Sequence, residues 1–133
     1  MSASFLLHLQ SATRYQRVDA VTRFVGQDAT GSFGILPGRA SFMTILGFGL
    51  ARFRVADGPW KFIACPGAVL SFENDQLCLN TRRYLVDDDY ERISALLTGQ
   101  LAQEEHALRA VKENIQKLEQ ELLRRLRQLD RSQ

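Results

Sequence analysis

A chain of 133 residues, 45% apolar and 24% charged, has the composition of a soluble protein with room for one core domain, or one domain and an appendage. Its formal net charge of +2 divides as nine basic against six acidic side chains over residues 1–87 and eight against nine over 88–133. Neither half is a polycation, so binding to nucleic acid through bulk charge is excluded. No apolar run is long enough to cross a bilayer, and Phe5-Leu6-Leu7 is cut by His8 without a basic leader, so a soluble, unexported protein is expected.

Phe5 to Gln10 and Val18 to Val25 read as short half-buried strands, the second alternating Val21, Arg23 and Val25 against Ala20, Thr22 and Phe24. Gly31 to Thr44 is a glycine- and proline-rich connection in which Phe33, Ile35 and Leu36 have apolar side chains to hide. Phe42 to Leu46 is the next strand. Gly47 and Gly49 then bracket Phe48 before Leu50, Phe53 and Val55, where a bulge or close backbone approach is expected. Asp57-Gly58 signals a type I′ hairpin into Trp60-Lys61-Phe62, with Pro59 edging the return strand. Pro66-Gly67 makes a turn into Ala68 to Phe72, and Glu73-Asn74-Asp75 leads to Gln76 to Asn80. Short strands at this spacing predict an antiparallel sandwich or barrel over residues 1–86.

From residue 87 the pattern changes. Asp88 to Asp130 holds no proline and one glycine, Gly99, with Leu97, Leu101, Leu108, Val111, Ile115, Leu118, Leu122 and Leu129 at three-four spacing. One helix is expected near Asp88–Gln103 and a second near Ala107–Asp130, folded as a hairpin, with Gly99 the competing breakpoint and the last residues frayed. Glu104 and Arg125 interrupt the stripe, which argues against a long homodimeric coiled coil and for an antiparallel pair or another protein as partner.

Few residues offer chemistry. Asp87, Asp88 and Asp89 read as carboxylates capping the helix start rather than as a metal cluster, and no metal is expected. His8 and His106 lack nearby ligands, and Cys65 and Cys78 have no CxxC spacing and read as reduced thiols. Ser11, Ser32, Ser41 and Ser71 lie in no Gly-x-Ser-x-Gly elbow, and Glu73 and Asp75 read as turn formers, so no catalytic residue is assigned. Arg124, Arg125 and Arg127, with Arg109, Lys112 and Lys117, suit the end of a helix or an acidic partner surface. The interleaved Glu113, Glu119 and Glu121, and the lack of aromatic residues after Tyr90, argue against nucleic acid.

Gly31-Ser-Phe-Gly-Ile-Leu-Pro-Gly-Arg-Ala-Ser-Phe-Met-Thr44 is not a P-loop, because Arg39 and Ala40 follow Gly38 where Lys and Ser or Thr are needed. It lacks the G-x-G start of a dinucleotide fingerprint as well. Its pattern Gly-x-x-Gly-Ile-x-Pro-Gly-x-Ala-x-x-x-Thr does resemble the signature segment of the epsilon subunit of F-type ATP synthases. That resemblance implies an α+β protein: an N-terminal antiparallel β-sandwich (1–86) that binds the gamma subunit and the c-ring, and a regulatory C-terminal helical hairpin (87–133). It implies a non-catalytic rotor part coupling ATP synthesis or hydrolysis to proton or sodium transport, peripheral on the cytoplasmic side of a bacterial inner membrane. Carried over by position, Gly31, Gly34, Ile35, Pro37, Gly38 and Arg39 would form the rotor interface, with Arg39 and Ser41 standing where the family commonly has His and Pro.

Some bacterial members bind regulatory ATP through Ile/Leu-Asp-x-x-Arg-Ala and arginines of the second helix. Here Asp89, Arg92, Arg124 and Arg125 would be the ATP contacts, with Asp88 and Ile93 departing from the flanking positions. No other cofactor is implied. Arg109, Lys112, Lys117 and Arg127 would lie on an inhibitory helix that meets the catalytic alpha and beta subunits when extended. The departures resemble the alternate, sodium-translocating branch. The rival reading is a self-associating adaptor joining a sandwich to a coiled coil.

Overall fold

The structure, a computed structural model, describes residues 3–131. Nine strands come first: β1 (Phe5–Gln10), β2 (Tyr15–Asp28), β3 (Gly31–Ile35), β4 (Phe42–Leu46), β5 (Gly49–Val55), β6 (Trp60–Cys65), β7 (Ala68–Glu73), β8 (Gln76–Thr81) and β9 (Leu85–Asp87). Helix α1 (Tyr90–Leu96), a π-helical turn (Leu97–Leu101) and helix α2 (Ala102–Arg131) follow. Two compact units result, one through Leu101 and the other from Ala102.

The strand order β4-β7-β8-β1-β2-β5-β6-β9, with β3 also on β2, becomes a sandwich because β2 serves two layers. Its first half, Tyr15 to Val21, pairs with β1, while Phe24 in its second half pairs with both Ile35 of β3 and Phe53 of β5. The ladders on both sides shift register at Val21, next to Ala20 with φ +59°, a local twist that lets one strand turn the corner between layers. This is why the strand runs well beyond the predicted Val18–Val25.

Strand alternation then sends one face of each layer inward. Phe5, Leu7, Leu9, Leu70, Phe72, Leu77 and Leu79 meet Val21, Phe24, Ile35, Phe53 and Ile63 in one core. Complete burial of such side chains contributes about 1.5–3 kcal/mol each relative to exposure. A smaller cluster forms behind β6, where Ala64 faces away from its neighbour Ile63 and packs with Ile93, Leu97 and Leu101 against Leu50, Phe62 and Leu85. Helix α1 and the π turn are thereby fixed to the sheet.

The sandwich and its C-terminal helical extension match the expected class, but the hairpin does not form. Residues Tyr90 to Arg131 are helical without a break. Gly99, the candidate breakpoint, is absorbed in the π turn, which sets Leu97 and Leu101 on the sheet. Strong helix formers occupy Gln103 to Ala107, and nothing there supplies the turn chemistry a reversal needs. The expected fraying of the last residues concerns positions 132 and 133, which lie outside the described residues.

Turn details differ also. After β5 the positive φ falls on Ala56 (+50°), not on Asp57 or Gly58, while a Cβ at Gly58 would lie 3.0 Å from the Val55 carbonyl oxygen. Gly58 is needed for space rather than for conformation. Gly47 and Gly49 have open space around them, so no close approach explains them. The β7–β8 connection is the two-residue hairpin, with Asn74 at φ +51° and Asp75 at +56° between the paired Glu73 and Gln76.

Candidate functional site

Two carboxylates brought from outside the Leu36–Ser41 connection hold the glycine-rich segment. At its start the chain turns through Ala29-Thr30 into Gly31, whose φ of +120° is costly for any residue with a Cβ. Asp28 Oδ1 accepts hydrogen bonds from the Thr30 amide (2.9 Å) and hydroxyl (2.5 Å), and its Oδ2 accepts from the Thr44 hydroxyl at 2.7 Å. The Thr30 hydroxyl first, then Thr44, holds the Asp28 carboxyl below the usual range. The turn just before the segment and the segment's last residue are thus tied together.

Ile35 ends β3 fully buried and anchors the connection rather than presenting a surface. Gly38 takes φ +81°, and its amide donates to Asp75 Oδ1 at 2.7 Å. Asp75 is itself fixed, because its carbonyl accepts from the Leu6 amide. Arg39 folds back on the segment: its Nη1 donates to the Gly34 carbonyl at 2.6 Å and its guanidinium lies 4.2 Å over the Phe42 ring. Gly31, Gly34, Ile35, Pro37, Gly38 and Arg39 therefore form one ordered edge of the sandwich. Phe33 is half-buried, but Leu36, expected to be hidden, is 57% exposed.

An apolar surface missed in the sequence lies alongside. β4 ends the strand order, and its outward residues Met43 and Ile45 are 72% and 70% exposed, with Val69 of β7 opposite Ile45. Both alternating sets of β4 are largely apolar, so the alternation that separates inside from outside is not visible there. The signal that remained was an apolar strand with no polar face.

The Asp87-Asp88-Asp89 run caps α1. Asp89 is the N-cap, its Oδ1 accepting from the Arg92 amide at 3.2 Å, and Asp87 accepts from the Asp89 amide at 3.0 Å. Arg92 grips Asp87 with two hydrogen bonds of 2.6 and 2.7 Å. Those bonds hold the Asp87 carboxyl far below its usual range and push the Arg92 guanidinium up. Among the described residues no group of three His, Cys, Asp or Glu side chains is disposed to hold a metal ion.

Asp89 is the N-cap of α1 and Arg92 lies in its first turn, whereas Arg124 and Arg125 are on α2, both engaged with Glu121 at 2.6 and 3.2 Å. The four expected nucleotide contacts thus belong to two separate units and two separate ion-pair systems. Arg109, Lys112, Lys117 and Arg127 are exposed on α2. His8 bonds Tyr15 (2.6 Å) and Gln76 (3.3 Å), and Cys65 is a free thiol that burial pushes up.

Comparison with known proteins agrees with this geometry. Residues 6–85 match the family model for the ATP synthase Delta/Epsilon chain, beta-sandwich domain. "ATP synthase epsilon chain 2" of Cereibacter sphaeroides is 34% identical over 108 residues, covering 80% of this chain and 74% of that one. The Prochlorococcus marinus ATP synthase epsilon chain is 34% identical over 59 residues, 44% of this chain and 43% of that one. Among solved structures, a chain of the Euglena gracilis mitochondrial ATP synthase (OSCP/F1/c-ring) superposes with a TM-score of 0.59 at 16% identity, over 77% of this chain and 66% of its own. One from the Tetrahymena thermophila mitochondrial ATP synthase (central stalk/c-ring) gives 0.53 at 11%, over 60% of this chain and 64% of its own. The solved chains share the fold, and this chain spans just under two thirds of their length. With a sandwich of this topology, its glycine-rich edge and matches of this extent, the chain belongs to the epsilon-chain family of ATP synthases.

Proposed function

We propose that this chain works as a non-catalytic subunit in the central stalk of a rotary F-type ATP synthase, docking on the rotor through the Gly31–Thr44 edge and the outward face of β4. The carrying observation is an ordered loop, pinned by Asp28, Asp75 and Arg39, set beside the exposed Leu36, Met43, Ile45 and Val69. An apolar patch beside a rigid loop is what a protein partner buries. The gamma subunit is assigned to the β4 face and the c-ring to the loop end of the sandwich. The complex would then couple ATP synthesis or hydrolysis to proton or sodium transport. No described helix is long and apolar enough to cross a membrane, which suits a peripheral subunit, assigned here to the cytoplasmic side of a bacterial inner membrane.

Helix α2 carries the regulatory role in this reading. Its exposed stripe would meet alpha and beta subunits when extended, with Arg109, Lys112, Lys117 and Arg127 facing acidic segments, and inhibit hydrolysis. Replacing Arg124, Arg125 and Arg127 with Ala should then raise ATP hydrolysis by the complex, and unchanged hydrolysis would remove the inhibitory role. Regulatory ATP at Asp89 and Arg92 would have to compete with Asp87 for the guanidinium.

The test of the main proposal is co-expression with the gamma subunit encoded beside it. A one-to-one complex on size exclusion is expected, lost in Met43→Asp/Ile45→Asp, which leaves the core untouched. Failure of the well-folded wild-type chain to bind gamma would overturn the assignment.

A further inference from the structure

Away from the glycine-rich edge, three arginines converge on one tryptophan. Register brings them together: Arg23 of β2 lies opposite Arg54 of β5, and Arg54 lies opposite Trp60 of β6. The guanidinium carbons of Arg52, Arg54 and Arg23 sit 4.6, 5.5 and 5.9 Å from the centre of the Trp60 ring. Arg54 donates to the Gly58 carbonyl at 3.1 Å, and among the described residues none of the three has a carboxylate partner. Like charges directly across a ladder destabilise a sheet, and ring stacking offsets only part of that cost. Beside Arg52 opens a cleft of about 470 Å³ lined by Val25, Leu50, Phe62 and Leu97 and also by the polar Gln27 and Ser32. The clustered arginines are compensated only in part, by stacking on Trp60 and by the Arg54 bonds to the Gly58 and Asp57 carbonyls, and such a conflict with local stability is where function is found.

We infer that this face binds an acidic polypeptide segment in extended conformation, its carboxylates on Arg23, Arg52 and Arg54 and an apolar side chain in the cleft beside Arg52. Arg52 and Arg54 are two residues apart on one strand, so their stems are spaced about 7 Å, which matches alternate residues of an extended chain. A guanidinium stacked on an indole can keep edge donors for carboxylates. Arg54 spends its Nε and Nη2 on the Gly58 and Asp57 carbonyls, so the edges of Arg23 and Arg52 and the remaining Nη1 of Arg54 are what the segment would meet. A compact anion such as phosphate would meet the arginines but leave the cleft unfilled. The surface is separate from the β4 face and shares with the glycine-rich edge only Ser32 in the wall of the cleft, so the inference does not rest on the rotor docking proposed above.

Trp60 is the sole tryptophan, so its emission reports on the site directly. The full-length chain is titrated with a peptide of alternating Glu and Leu, with a Lys-Leu peptide, and with inorganic phosphate and ATP. The expected result is a saturable change in Trp60 emission with the Glu-Leu peptide alone, weakening as salt rises. In Arg23→Gln/Arg52→Gln/Arg54→Gln affinity should fall by about tenfold or more, the scale for losing several close charge pairs. Circular dichroism on the triple variant checks folding, and anisotropy of the labelled peptide with Trp60→Phe gives a second readout should the triple variant misfold: with the arginines intact, binding there should remain saturable and salt-sensitive. No saturable response to the Glu-Leu peptide, an equal response to phosphate or ATP, or undiminished binding by a folded triple variant would each overturn the inference.

Discussion

The sandwich and helix α2 use the same leucine-rich vocabulary with opposite outcomes. Leu7, Leu9, Leu70, Leu77 and Leu79 are completely buried, and Ile93, Leu97 and Leu101 are the last buried side chains toward the C-terminus among the described residues. Beyond them no described residue of α2 is buried, and Leu118, Leu122 and Leu129 are 70%, 59% and 63% exposed. Periodicity announces that a face exists, and the opposing layer supplies what covers it. For Leu77 and Leu79 of β8 that layer brings Phe24, Phe53 and Ile63; along α2 the stripe residues Leu118 and Leu122 are exposed.

Substitutions should separate the two regions sharply. Phe24→Ala removes a side chain at the meeting point of β2, β3 and β5, and should cost about 3–5 kcal/mol in urea denaturation followed by circular dichroism. Gly38→Ala forces a Cβ into positive φ and should cost about 1–2 kcal/mol, whereas Gly34→Ala, 3.8 Å from the nearest atom and without positive φ, should cost less. At the other end, Leu118→Ala on the exposed stripe should stay within about 0.5 kcal/mol in the isolated chain. A large loss there would mean that the stripe is covered within the isolated protein.

The junction of β9 and α1 has its own acid signature. Asp87 titrates lower in the folded chain than its ordinary 3.8, so the clasp with Arg92 contributes fully above about pH 4 and is lost as pH falls below that value. Amide exchange in the first turn of α1 should therefore speed up, relative to the core, on acidification through this range. Asp87→Asn should show the fast exchange already at neutral pH and lose the pH dependence.

Legibility followed the range of the determining contacts. The strands Phe5–Gln10 and Phe42–Leu46 are set locally and readable to the residue, and the capping role of the Asp87-Asp88-Asp89 run is readable as a group, with Asp89 the N-cap. The corner in β2 depends on which layer each half joins, and the unbroken helical course through Gly99 depends on Leu97 and Leu101 meeting the sheet. The site divides likewise. Its glycines and proline were legible as a motif, but the carboxylate on Gly38 comes from 37 residues away and the one on Thr44 from 16, and no spacing rule couples them. The stack of Arg39 on Phe42 and the arginines around Trp60 needed register to be seen.

The central claim is that the Gly31–Thr44 edge and the β4 face are the docking surface of an epsilon chain. Hydrogen exchange on the isolated chain and on its purified complex with gamma tests it most directly. The account requires slowed exchange at Gly38 to Ile45 in the complex, with the interior strands β1 and β8 unchanged. A verified complex whose protection falls elsewhere, with Gly38 to Ile45 exchanging as in the free chain, would contradict it.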